Sequence, residues 1–238
     1  MPQFFITSSD IHGGLCRIRG EDYRHLVTVR RAKPGDLISL RDETGAALTA
    51  RIREITDSFI ELAIQNRRDA VSGHPEIILC ASMLKGRNFD LVIEKAVEIG
   101  VSRIIPVVSE RTVPHPADEA AKLARWNRKA GEAAKQSLRD RIPPVEKIHT
   151  FRGVVAGFTG GTRIIAHPGA AISMKDYLSG RSAGPAYLLI GPEGGFSGGE
   201  IELARDAGWT PLNFGYTHMR AETAALVLCG VIMYELGA

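Results

Sequence analysis

Two turns near the end of the chain carry residue types that can hold and process a ligand. The first closes an apolar run and reads Leu189-Ile190-Gly191-Pro192-Glu193-Gly194-Gly195-Phe196. Three glycines leave backbone accessible, Pro192 fixes one dihedral, and Glu193 supplies a carboxylate. The turn is neither a P-loop nor a GxGxxG fingerprint, because the Gly-Lys-Ser/Thr ending and the glycine spacing are missing. A turn with a carboxylate suits a ligand bearing hydroxyls, an amine or positive charge. The second turn, Phe214-Gly215-Tyr216-Thr217-His218-Met219-Arg220-Ala221-Glu222, delivers an Arg and a Glu to the start of an apolar helix. Each turn also has a plain structural reading. The first can be a tight strand–helix connection and Glu222 a helix cap.

Around these turns the pattern is one of alternating strands and helices. Strands are expected at Ile77–Ser82, Arg103–Val108, Arg163–His167, Tyr187–Ile190 and Pro211–Phe214. Helices are expected at Phe89–Ile99, Asp118–Arg139, Gly198–Ala207 and Glu222–Leu236. Ser197 followed by Glu200 has the form of a capping box. Such alternation predicts an α/β domain with a mostly parallel sheet, and ligands of such sheets bind beyond the carboxyl ends of the strands. Both turns fall there. His167, at the end of another strand, is placed to line the same crevice.

The first part of the chain reads differently. Ser39–Arg41, Ala47–Ile55 and Phe59–Ile64 form short strand-like runs separated by turn signals such as Asp42-Glu43-Thr44-Gly45. Glu21–Arg30 is a candidate helix among them. This organisation predicts a small β-barrel over residues 1–72. A polar, turn-rich stretch near Arg67–Pro75 then separates it from a second domain over 73–238.

Composition narrows the classes. A 44% apolar content over 238 residues is enough for a globular core. Cys16, Cys80 and Cys229 are too dispersed for a metal site or a disulfide framework, which suits buried thiols in a reducing cytoplasm. Residues 1–5 lack a basic leader with a long apolar run, so export is not expected. Thr223–Leu236 is too short to span a bilayer. The histidines show no metal spacing, and no serine sits in a nucleophile elbow, so neither metal nor covalent catalysis is expected. The net charge of +3 is a local excess. Between Ala121 and Arg141 seven basic residues, among them Arg128 and Arg139, stand against Glu132 and Asp140. Such a cluster is either a solvated helix face or a phosphate-binding surface. Arg30, in the first domain, and Arg111 are further phosphate candidates.

Several ordered blocks resemble the RsmE family, the bacterial 16S rRNA uracil-N3 methyltransferases. They are Leu189–Ser197, Met219–Ala224, Glu94–Val101 with Pro106 and Ser109-Glu110-Arg111, Glu132–Ser137 with Arg139 and Pro143, and His25–Arg30 with Gly35-Asp36. The chain departs from the family pattern at Thr217-His218 and at Ala221, where Thr is usual. The resemblance covers nearly the whole chain. It implies an N-terminal PUA-like β-barrel that binds RNA and a C-terminal SPOUT domain threaded as a trefoil knot. It also implies a homodimer, S-adenosyl-L-methionine as cofactor, and methylation of N3 of the decoding-region uridine 1498 in 16S rRNA.

On that basis His167, Leu189, Ile190, Gly191, Pro192, Glu193, Gly194, Gly195, Phe214, Gly215 and Met219 are expected at the cofactor. Arg220 is expected to orient the uracil and stabilise its anion, and Glu222 to accept the N3 proton or to cap its helix. Arg30, Arg111, Arg128 and Arg139 are expected on RNA. Two rival readings stay open on the residues alone: a non-catalytic RNA-binding module, and an α/β enzyme for another nucleotide ligand.

Overall fold

The computed structural model describes residues 3–70, 73, 75–113, 118–179, 184–215 and 217–236. His74, His115, Ser72 and Tyr216 lie outside them. The chain divides into two compact units, Met1–Ser72 with Ala134–Ile142, and Gly73–Ala133 with Pro143–Ala238.

The first unit is a curled five-stranded sheet. Its elements are β1 (Gln3–Phe5), β2 (Leu15–Ile18), α1 (Gly20–Arg24), β3 (Leu37–Arg41), β4 (Ala47–Ile55) and β5 (Ile60–Arg68). The strand order is β1-β3-β4-β5-β2. Only β1 runs parallel to its neighbour. Alternation decides which face is buried. Ile38, Leu40, Leu48, Ala50, Ile52, Ile60 and Leu62 enter one apolar cluster, while Arg17, Arg51, Arg53 and Glu61 fall on the other face. The helix expected over Glu21–Arg30 is shorter: α1 ends at Arg24 and His25–Val29 continues as a wider, π-wound turn, closed by Arg30 N–H on the His25 carbonyl at 3.1 Å. Ala134–Ile142 belongs to this unit through polar contacts. Lys135 pairs with Asp22, Asp140 with Arg41 at 2.8 Å, and the buried Gln3 amide donates to the Arg139 carbonyl.

The second unit holds a six-stranded, all-parallel sheet in the order β11-β9-β10-β6-β7-β8. The elements are β6 (Ile77–Ser82), α2 (Asn88–Ile99), β7 (Arg103–Val108), α3 (Glu119–Gln136, its last residues in the first unit), β8 (His149–Thr150), α4 (Phe151–Gly157) and β9 (Thr162–Ala166). They continue with α5 (Met174–Leu178), β10 (Ala186–Ile190), α6 (Gly198–Asp206), β11 (Thr210–Leu212) and α7 (Ala221–Leu236). All six residues of β6 are buried, as expected for a central strand of a parallel sheet. Phe151, Val154 and Val155 of α4 join Ile201 and Ala204 of α6 in a cluster with Ile78, Cys80 and Leu189. Helix α7 packs on α2, β6 and β10. The α/β parallel architecture expected from the alternation is what the chain forms. Phe214 and His167 sit one or two residues beyond the strands expected to contain them.

Candidate functional site

Strands β11, β9 and β10 are neighbours, and all three leave the sheet at the same edge. The chain then passes directly into the two turns and His167. One wall begins after β10. Gly195 N–H closes a turn on the Pro192 carbonyl at 2.8 Å, and Gly195 takes a left-handed φ of 66°. A Cβ on Gly191 would lie 3.3 Å from the Gly195 backbone and the Phe196 ring, so this turn closes tightly only with glycine there. Leu189 and Ile190 are buried at the strand end.

Neighbouring loops hold this wall. The Glu193 carboxylate accepts the Lys85 backbone N–H at 3.0 Å, and Arg111 donates to the Gly194 carbonyl at 2.9 Å. Arg111, expected on RNA, therefore also braces the glycine turn. The capping box of α6 forms as expected: Ser197 Oγ accepts from Glu200 N, and Glu200 Oε2 accepts from Ser197 N. The loop after β7 adds two bonds. Ser197 Oγ donates to Glu110 at 2.7 Å, and Glu110 N–H donates to the second Glu200 oxygen at 2.9 Å. Ser109 and Thr112 stiffen that loop, with Ser109 N–H donating to Thr112 Oγ1 at 2.9 Å. The pairing of Ser109 with Thr112 was not read from the sequence, and Lys85 drew notice there only for its charge, in the basic run Lys85-Gly86-Arg87-Asn88. The Ser-x-x-Thr spacing was the available signal for the first, and a backbone donor such as Lys85 N–H carries none.

The second wall is a staple between the connections after β9 and β11. His167 N–H donates to the Leu212 carbonyl at 3.0 Å, and the Asn213 side-chain amide donates to the Ala170 carbonyl at 2.7 Å. The Asn213 backbone bonds Ile172 and Met174. Asn213 is thus a structural partner of the site that the sequence reading missed. Beyond it lie half-buried Phe214, exposed Gly215 with φ of 132°, half-buried Met219 and exposed Arg220. The Arg220 carbonyl accepts the Ala224 N–H at 2.8 Å, which places Arg220 immediately before α7 and Glu222 in its first turn.

The cofactor candidates therefore gather at one sheet edge. Open space lies where a Cβ would project from Gly195 and Gly215, one in each wall. The phosphate candidates are dispersed. Arg128 is exposed on α3 with Glu132 at 3.9 Å, whereas half-buried Arg30 and Arg139 belong to the first unit. Burial pushes the Arg139 guanidinium below its ordinary pKa, although Asp140 opposes this. Burial pushes the Cys229 thiol up to about 12 and the Cys16 thiol to about 11, so neither is a thiolate nucleophile at neutral pH. No group of side chains that could hold a metal ion occurs among the described residues, and no helix among them is long and apolar enough to cross a membrane.

Residues 72–233 match the RNA methyltransferase domain family, and residues 18–65 match the RNA methyltransferase PUA domain. The chain is 32% identical to ribosomal RNA small subunit methyltransferase E 2 of Borreliella burgdorferi, over 95% of this chain and 94% of the relative. This chain belongs to the ribosomal RNA small subunit methyltransferase E family. The RsmE fold, a SPOUT-type parallel sheet with a PUA domain, is shared along its length. The Neisseria gonorrhoeae RsmE, solved bound to S-adenosyl methionine, matches with a TM-score of 0.89 at 30% identity, covering 100% of this chain and 98% of that one. A putative methyltransferase of Legionella pneumophila, solved with the bound cofactor SAM, matches at 0.90 with 27% identity over 99% and 98% of the two chains.

Proposed function

We propose that this chain transfers a methyl group from S-adenosylmethionine to N3 of a uridine in the decoding region of 16S rRNA. The observation that carries the reading is the pair of glycine-opened walls at one end of the consecutive parallel strands β11, β9 and β10, with Arg220 at the end of one of them. Its likeness to a cofactor-bound RsmE along the whole chain supports the choice of cofactor. The sulfonium, when bound, supplies an electrophilic methyl group and needs no metal.

The residues then have a positioning task. The backbone of Gly191–Gly195 and of Phe214–Met219 cradles the adenosine and methionine parts, with His167 between them. Arg220 meets the uracil carbonyls and stabilises negative charge on the ring as N3 loses its proton. Glu222 accepts that proton, and its place in the first turn of α7 also favours the helix electrostatically. Arg30, Arg111, Arg128 and Arg139 take RNA phosphates, and the PUA-like unit supplies part of the RNA surface. The walls belong to the knotted part of the chain in this reading, and two copies associate.

The test is methyl transfer to small-subunit RNA with labelled S-adenosylmethionine, followed by mass spectrometry to locate the methyl group. Arg220→Ala is expected to lower the rate roughly 10²- to 10³-fold with cofactor affinity retained. A variant as fast as the parent would remove Arg220 from the chemistry. A parent that is raised in melting temperature by NAD or ATP, but not by S-adenosylmethionine, would refute the cofactor.

A further inference from the structure

The first unit is an open barrel, and its seam has a shape of its own. In the order β1-β3-β4-β5-β2 the two edge strands are β1 and β2. A cleft of about 640 Å³ is lined from both of them, by Phe5 and Ile6 on one side and Leu15 to Arg19 on the other. That volume falls within the range of small-ligand sites and holds a nucleotide. Apolar and polar side chains share its lining, and the polar ones, apart from His12, are of two kinds. Asp10, Asp22 and Glu61 bring carboxylates to it, that of Asp22 paired with Lys135 through one oxygen. Arg17 and Arg19 present guanidinium groups, both held over the Phe59 ring, at 4.6 and 5.4 Å from its centroid. Arg17 also bonds Glu61 at 3.1 Å, whereas Arg19 has no carboxylate partner among the described residues.

These features select among occupants. Strand addition needs a long edge, but β1 has three residues and β2 four. A guanidinium over an aromatic ring is a stacking surface for a base, and an exposed Arg without a carboxylate partner is a phosphate donor. Carboxylates accept from the exocyclic amines of cytosine, adenine and guanine, which uracil lacks. Thr7 keeps Asp10 in the accepting form: its hydroxyl and backbone N–H bond the carboxylate and hold it below the usual carboxylate range.

We propose that the seam between β1 and β2 binds one unpaired, amine-bearing nucleotide of the RNA substrate, its base in the cleft and its phosphate on Arg19. The seam reads a nucleotide other than the methylated uridine, and the proposal rests on the RNA substrate of the preceding section.

Cytosine and uracil are the same size and differ at the amine, so oligocytidylate against oligouridylate isolates the recognition. Fluorescence anisotropy of the full chain with labelled ten-nucleotide strands is expected to show oligocytidylate bound roughly 5-fold or more tightly. Arg19→Glu weakens both strands and abolishes the preference. Leu15→Trp, a half-buried outward position that fills the cleft, abolishes the preference alone. Equal affinity of the two strands for the parent overturns the proposal, as does a preference that survives both substitutions. Methyl transfer by the same preparations separates the two readings. A parent that prefers oligocytidylate yet methylates no rRNA retains the seam and loses the proposed reaction. A parent that methylates rRNA without the preference retains the reaction and loses the seam.

Discussion

At Gly191 the room left for a side chain is set by the Gly195 backbone and the Phe196 ring, each 3.3 Å from where a Cβ would lie. A methyl there can be accommodated only by shifting the turn a few tenths of an ångström, and binding surfaces made of backbone tolerate little displacement. Gly191→Ala is therefore expected to lower S-adenosylmethionine affinity about 10-fold or more in calorimetry, with the thermal transition of the free protein nearly unchanged. An unaltered affinity would mean that the backbone after β10 does not contact the cofactor. The glycines, Glu193 and Arg220 were legible in the sequence because their types are unusual between a buried strand and an apolar helix. What Glu193 touches was not legible. Its partner is a backbone N–H on residue 85, and a backbone donor leaves no trace in residue type.

Among the elements, α6 combines local and distant information. The Ser197-to-Glu200 spacing announced its start, and the capping box forms there. Glu110 completes the same cap from 87 residues away, a contact that no local pattern encodes. Ser197→Ala removes the cap and leaves Glu110 and Glu200 each without one bond. A loss of about 1–2 kcal/mol is expected, seen as a melting temperature lower by roughly 2–6 °C for a chain of this size. A fall well under a degree would show that the loop after β7 holds α6 without the serine. The long, periodic or fully apolar segments were read in place, as with β4, β6, α2 and α7. Of the short ones, β3, β10 and β11 were anticipated, whereas β1, β2, β8, α4 and α5 were not. Strand β8 has two residues, and α4 is a seven-residue helix containing Arg152 and two glycines, so neither rises above loop composition. The π-wound turn after α1 escaped for another reason: its residues are ordinary helix and strand formers, and only tertiary packing of Leu26 decides how they wind.

For the whole molecule, the surface of α7 bears on assembly. Val227, Val231 and Tyr234 lie three and four residues apart and are 44%, 37% and 77% exposed. Leu91, 41% exposed, lies on α2, against which α7 packs. An apolar stripe on a helix is costly to leave in water, and self-association would cover it. If α7 pairs with a second copy, Tyr234→Glu is expected to raise the dissociation constant roughly 30-fold or more, on the order of 2 kcal/mol, by sedimentation. A parent that sediments as a monomer at micromolar concentration would remove the dimer. Domain content was readable from the switch between short alternating strands and strand–helix alternation. The recruitment of Ala134–Ile142 to the first unit was not, since those residues share the basic character of α3 and reveal their allegiance only through Gln3, Arg41 and Asp22.

That recruitment has a consequence for how the protein is made. Ribosomes release chains from the amino end, and domains ordinarily fold in that order as they emerge. Here the first 72 residues emerge without the partners of Gln3, Arg41 and Asp22, which are encoded some sixty residues later. The seam-bearing unit can reach its final form only after Ile142 has cleared the exit tunnel. By then four of the six strands of the parallel sheet, β8 to β11, have yet to emerge, so the two units must mature as overlapping rather than successive events.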